Sequence, residues 1–133
     1  MYHGSDKLFS KLRRHKASAV SGAPENEKLN MIYLTPDYDF ALALAARPMG
    51  YSKIDHTRRI VSYNLDNFDP EREVYIYVID ISKIPEDKII KIDELQVAVD
   101  LDEIVPVEVK IHKAGEVSRH YSIVPSLPNP LRA

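Results

Sequence analysis

The chain has 133 residues, 44% of them hydrophobic and 29% charged, with a formal net charge of −2 and no cysteine. That length suits one domain able to bury roughly two thirds of its unfolded surface, and the lack of cysteine excludes disulfides, thiolate nucleophiles and Cys-based zinc sites together. The near-neutral charge argues against a general nucleic-acid binder. No apolar run nears the ~20 residues of a membrane span and no signal-peptide core opens the chain, so a cytoplasmic protein without membrane contact is expected.

Met1 to Gly4 reads as a short strand carrying His3, after which Gly4-Ser5 permits a tight turn. Asp6 to Lys16 suits one or two helical turns above Leu8, Phe9 and Leu12. Lys7, Lys11, Arg13, Arg14, His15 and Lys16 crowd into this stretch, as a solvated face or as a patch facing phosphate. Ala17 to Asn30 has almost no large apolar group and reads as a mobile loop, since burial there cannot offset the entropy of ordering. Met31-Ile32-Tyr33-Leu34 is a short buried strand that runs directly into a helix. Thr35 suits the N-cap and Pro36 the first helical position, with Asp37 and Asp39 at the positive end of the helix dipole. Phe40, Ala41, Leu44 and Ala45 share one face, and Pro48 and Gly50 end the element. Tyr33 stands at the strand-to-helix junction.

The second half changes character. Ile60 to Tyr63 is a brief strand inside a polar stretch, and Glu73 to Ile81, rich in β-branched and aromatic residues, reads as a central strand. Pro85-Glu86-Asp87 turns the chain, Lys88 to Ile92 alternates weakly, and Gln96 to Val99 is a short strand. Val107, Val109 and Ile111 alternate with Glu108, Lys110 and His112, which predicts one buried and one wet face. The domain is expected to cover 1–124, with a Pro-rich extended tail over 125–133. Helix early and short strands late predict an α+β fold with a twisted, mostly antiparallel sheet pair.

Tyr2-His3-Gly4-Ser5 and Ile32-Tyr33-Leu34-Thr35-Pro36, about thirty residues apart, together resemble the opening of the ADP-ribosyltransferase superfamily, including its diphtheria-toxin-like branch and the RNA 2′-phosphotransferases. Those proteins open on an H-G-[ST] strand, follow with a tyrosine strand feeding a helix, and later supply a glutamate. The rhythm of Val78-Ile79-Asp80-Ile81, Ile92 through Val99, and Ile104 through Val109 is similar as well, so the resemblance covers most of the chain.

The resemblance implies a split antiparallel sheet pair with an NAD cleft between the sheets. It implies that His3 bonds a ribose hydroxyl, that the Gly4 backbone pairs with the nicotinamide carboxamide, with Ser5 and Thr35 beside them, and that Tyr33 stacks on the nicotinamide ring. Arg13 or Arg14 would meet the pyrophosphate. NAD is then a substrate: nicotinamide leaves through an oxocarbenium-like ribose, ADP-ribose passes to a protein or nucleic-acid acceptor, and a carboxylate on the 2′-hydroxyl stabilises the developing charge.

At the family's glutamate position the natural alignment puts Gln96, with Glu94 two residues earlier on the same face of an extended chain. A neutral amide bonds a hydroxyl but brings no full charge, and losing one such contact commonly costs ~10²-fold or more in rate. A shifted register bringing Glu94, Asp100 or Glu103 into the site stays open. So do two alternatives: RNA 2′-phosphotransferase-like chemistry using Arg13, Arg14, Arg58 and Arg59, and a non-catalytic member that binds a nucleotide or partner. Tyr38 and Tyr51 are candidates for a second aromatic wall. His15, His56, His112 and His120 lack metal-ligand spacing, so no metal is expected.

Overall fold

The computed structural model describes residues 1–16 and 30–126; the loop expected over 17–29 and the tail beyond 126 lie outside the described residues. In chain order the elements are β1 (Tyr2–Ser5), β2 (Leu12–Arg13), β3 (His15–Lys16), β4 (Asn30–Leu34), helix α1 (Tyr38–Ala45), β5 (Lys53–Asp55) and β6 (Ile60–Tyr63). There follow β7 (Glu73–Val78), β8 (Ile89–Lys91), β9 (Val97–Val99), β10 (Glu103–Ile104), β11 (Glu108–Lys113) and β12 (Ser122–Pro125), with 3-10 turns at Ile81–Lys83, Glu86–Lys88 and Ala114–Arg119. The strands form small sheets ordered β1-β7-β11, β3-β4-β9-β8 and β5-β6-β12, plus the pair β2-β10. Pairing is antiparallel except between β6 and β12, which run parallel. This is a sheet-rich α+β domain with few helices. No helix among the described residues is long and apolar enough to cross a membrane.

β7 is central, as its composition predicts, and its alternating side chains feed two cores. Val74 and Ile76 are fully buried against Ala41, Leu42, Ala45, Val61 and Tyr63. Tyr77 and, just beyond the strand, Ile79 pack on the other side with Leu12, Ile32, Leu34, Val99 and Ile104. Helix α1 lies between the β1-β7-β11 sheet and β5-β6-β12, so Leu42 and Ala43 are buried along with Phe40, Ala41 and Ala45. The single apolar face expected of it is therefore an almost complete apolar girdle, and Leu44 is only half-buried.

The helix starts later than its cap residues suggest. Asp37, not Thr35, is the N-cap: its Oδ1 accepts from Phe40 N at 2.9 Å. Thr35 stays extended because it pairs with Tyr2, and its hydroxyl accepts from Asp37 N at 3.1 Å. At the other end Arg72 donates to the carbonyls of Ala46 and Arg47, a cap supplied from a distant segment.

Two further expectations are corrected. Asp6 to Lys16 is not helical: Tyr77 Oη takes Phe9 N and donates to Lys7 O, and Leu12 pairs with Ile104, so tertiary bonds claim the backbone. In β11 the apolar side is not buried: Val107 is 58% and Ile111 60% exposed, because the strand ends its sheet and only Val109 reaches the core. Ser122 to Pro125 form β12, so the paired strands run on to the first residue of the expected tail, and Ser126 N reaches Tyr63 O.

Candidate functional site

The two antiparallel sheets touch where β1 meets β4. Tyr2 and Thr35 exchange both backbone bonds, Tyr2 N to Thr35 O at 2.8 Å and Thr35 N to Tyr2 O at 2.9 Å. In an antiparallel ladder the next such exchange would join Gly4 to Tyr33. That exchange is not part of the β1–β4 contact; Gly4 stays in register with Ile76 of β7 and lies hard against α1, where a Cβ would come within 2.0 Å of Ala41 O. The strands part, and the His3 imidazole spans the gap: Nδ1 donates to the Tyr33 carbonyl at 2.8 Å. A carbonyl only accepts, so Nδ1 carries a proton.

β9 lies on the far side of β4. Its register sets Ala98 beside Tyr33 and Val97 beside Leu34. Ile32, Leu34, Val97 and Val99 turn into the core, so the alternation puts Tyr33 on the opposite face with Ala98. Continued past each end of β9, the same alternation sets Gln96 and Asp100 at the two diagonal positions around Tyr33, a separation long side chains can bridge. Asp100 ties Arg14 to this face: Arg14 Nη1 donates to Asp100 Oδ1 at 3.1 Å and to Asn30 O at 3.2 Å, and Nε lies 3.0 Å from Asp102 Oδ1. The Arg14 guanidinium is thus hydrogen-bonded to Asp100 and within ion-pair distance of Asp102.

His3, Tyr33, Thr35 and Gln96, remote in sequence, therefore belong to β1, β4 and β9 and their margins, and Arg14, between β2 and β3, is joined to them through Asp100. The remaining candidates are placed otherwise. Gly4 faces α1, so a helix rather than a ligand accounts for the glycine. Ser5 Oγ accepts from Lys7 N at 3.1 Å and shapes the turn after β1. Glu94 is not on an extended chain: Asp93 Oδ1 accepts from Leu95 N and Gln96 N, bending the segment into a tight turn. Its carboxylate points to solvent, 92% exposed and 3.1 Å from Lys91 Nζ. Arg13 is exposed on β2 and Tyr51 is exposed as well. Tyr38 packs edge-on against Tyr2 and its hydroxyl pairs with His112 Nε2, on the α1 side of β1.

Two features escape a reading of the sequence. Tyr77 sits beside His3 in the β1–β7 register, and its hydroxyl clamps the segment after β1 while burial pushes its pKa up. The alternating EVYIYV run marks Tyr77 as inward, but nothing local says that its hydroxyl finds Lys7. The second is a cluster at the start of α1. His56 bonds Tyr121 Oη through Nδ1 at 2.8 Å and Asp37 through Nε2 at 3.3 Å, with Arg59 over the Tyr121 ring. Arg59 holds a left-handed backbone, φ 57°.

No protein-family model matches the chain, and neither does any curated protein or solved structure.

Proposed function

We propose that the β1–β4 junction is an NAD site and that the protein cleaves the nicotinamide–ribose bond, passing ADP-ribose to a protein or nucleic-acid acceptor. The observation that carries this reading is the His3 Nδ1 bond to the Tyr33 carbonyl across the parted strands. In this reading His3, anchored to Tyr33, contacts a ribose hydroxyl, and Tyr33 supplies an aromatic face for the nicotinamide. Gln96 bonds the 2′-hydroxyl as a neutral amide. Incubation with labelled NAD and cell extract, with free nicotinamide measured alongside, is the test. Wild type should exceed His3→Ala and Tyr33→Ala, and Gln96→Glu should raise the rate by about 10²-fold through restored charge. Absence of nicotinamide release from both wild type and Gln96→Glu would overturn a catalytic role.

A binding role without turnover is the second reading, and a specific observation favours it. Each carboxylate that a shifted register might have supplied is engaged with a cation: Glu94 with Lys91, Asp100 with Arg14 and Glu103 with Lys11. Calorimetry separates the two readings, since saturable NAD binding with no nicotinamide release selects binding alone. A cyclic ADP-ribose phosphate released from a 2′-phosphorylated oligonucleotide would instead identify RNA 2′-phosphate as the acceptor.

A further inference from the structure

We propose that the open edge of β11 pairs antiparallel with the same edge of a second copy of this chain, joining two three-stranded sheets into one of six. β11 ends its sheet, and no described strand lies on its outer side. Ile79 N bonds Met1 O, so odd-numbered residues along β7 face β1 and even-numbered ones face β11. The β7–β11 register then turns the backbone groups of Glu108, Lys110 and His112 toward β7 and those of Val109, Ile111 and Lys113 toward the open edge. Such an edge is a template for another strand.

Sequence selects the partner and the register. Symmetry about Val109 sets Val109 opposite itself and Glu108 opposite Lys110, the latter pair occurring twice. Val107 precedes the strand and gives its N–H to Val78 O of β7, so the new ladder is centred on Glu108 to Lys110, where opposite charges meet, with the exposed Ile111 beside it. A shift of one residue in each copy sets Lys110 against Lys110, or Glu108 against Glu108, so charge rejects the neighbouring registers. Lys110 and Glu108 already lie on one side of the strand, their charged atoms 3.2 Å apart within the chain. Second copies therefore fit this edge better than an arbitrary strand would, because the edge is complementary to itself.

Sedimentation equilibrium of the full chain over a wide concentration series is the test, with circular dichroism to confirm that each variant folds. Wild type should fit a monomer–dimer equilibrium. Glu108→Lys and Lys110→Glu should each weaken it by at least about tenfold, since each sets like charges opposite one another twice. The double exchange Glu108→Lys with Lys110→Glu restores opposite charges across the edge and should recover the dimer. A wild type that remains monomeric throughout, or a double exchange as weak as the single variants, would overturn the proposal.

Discussion

Replacing Gly4 with alanine asks whether the helix, rather than a ligand, demands glycine in β1. An added Cβ would lie 2.0 Å from the Ala41 carbonyl oxygen, 2.9 Å from its carbon and 3.2 Å from Ala45 Cβ. A comfortable carbon–oxygen contact is about 3.3 Å, so either α1 or β1 must retreat by about 1.3 Å. Neither has room: Ala41 is fully buried between two sheets, and β1 is laddered to β7 along its length. Gly4 is not in the left-handed region, so the cost is steric and not conformational. Overpacking of this kind costs ~1–3 kcal/mol, and the backbone shift puts Gly4→Ala near the top of that range. Reduced freedom of the unfolded chain returns about 0.4–1 kcal/mol, leaving a net loss of about 2–2.6 kcal/mol. For 133 residues, an unfolding entropy of ~2.1 cal/mol/K per residue converts this into a melting point lower by about 7–9 °C. Differential scanning calorimetry measures it directly. A melting point within about 2 °C of wild type would refute the packing argument, and lost NAD binding at that unchanged stability would assign the glycine to a ligand.

Asp37→Ala should cost about 1–2 kcal/mol in urea unfolding through loss of the cap on Phe40 N, whereas Asp37→Asn should retain most of it. The Lys113 N–H, and then His112, hold the Glu116 carboxyl below its usual range. A depressed folded pKa stabilises at pH above the ordinary carboxylate value and fades as pH falls through the lower folded one. Glu116→Gln should therefore lower the urea midpoint at neutral pH and leave it nearly unchanged under strong acid. Burial pushes the Tyr121 phenol up to about 12 from 10.0. The unfolded chain then loses that proton first, so stability present below pH 10 should decline as pH rises toward 12, and Tyr121→Phe should flatten part of the decline in alkaline melting curves.

The elements with strong local signals were legible in the sequence: β4 into α1, β7 from its run of β-branched and aromatic residues, and the short β6 and β9. What failed was decided by distant partners. Thr35 is as good a cap as Asp37 on local grounds, but Tyr2 recruits it into a bridge. The Asp6 to Lys16 segment has helical spacing, yet Tyr77 and Ile104 take its backbone. The alternation of β11 was correct while its buried face was not, because period reports which residues share a side and not whether a layer covers that side. Of the candidate site, His3, Tyr33 and Gln96 came from the resemblance alone, and the structure joins His3 to Tyr33 by a hydrogen bond. Asp100 as the partner of Arg14 was not legible, since the remote pairing of β2 with β10 and the bond from Arg14 N to Asp102 O bring them together.

The same four residues of β1 build the fold and the proposed site, and the two tasks constrain each other. Tyr2 and Gly4 turn to α1: Tyr2 meets Tyr38, and Gly4 admits the helix backbone. His3, alternating to the other side, donates to the Tyr33 carbonyl and so ties β1 to β4 beyond the Tyr2–Thr35 bridge. A ligand group that accepted from Nδ1 would have to compete with the Tyr33 carbonyl and reopen the gap between the sheets. On the proposed NAD reading, a ligand at His3 therefore has to leave the Nδ1 bond to Tyr33 in place, and a pyrophosphate at Arg14 would have to outbid its two aspartate partners.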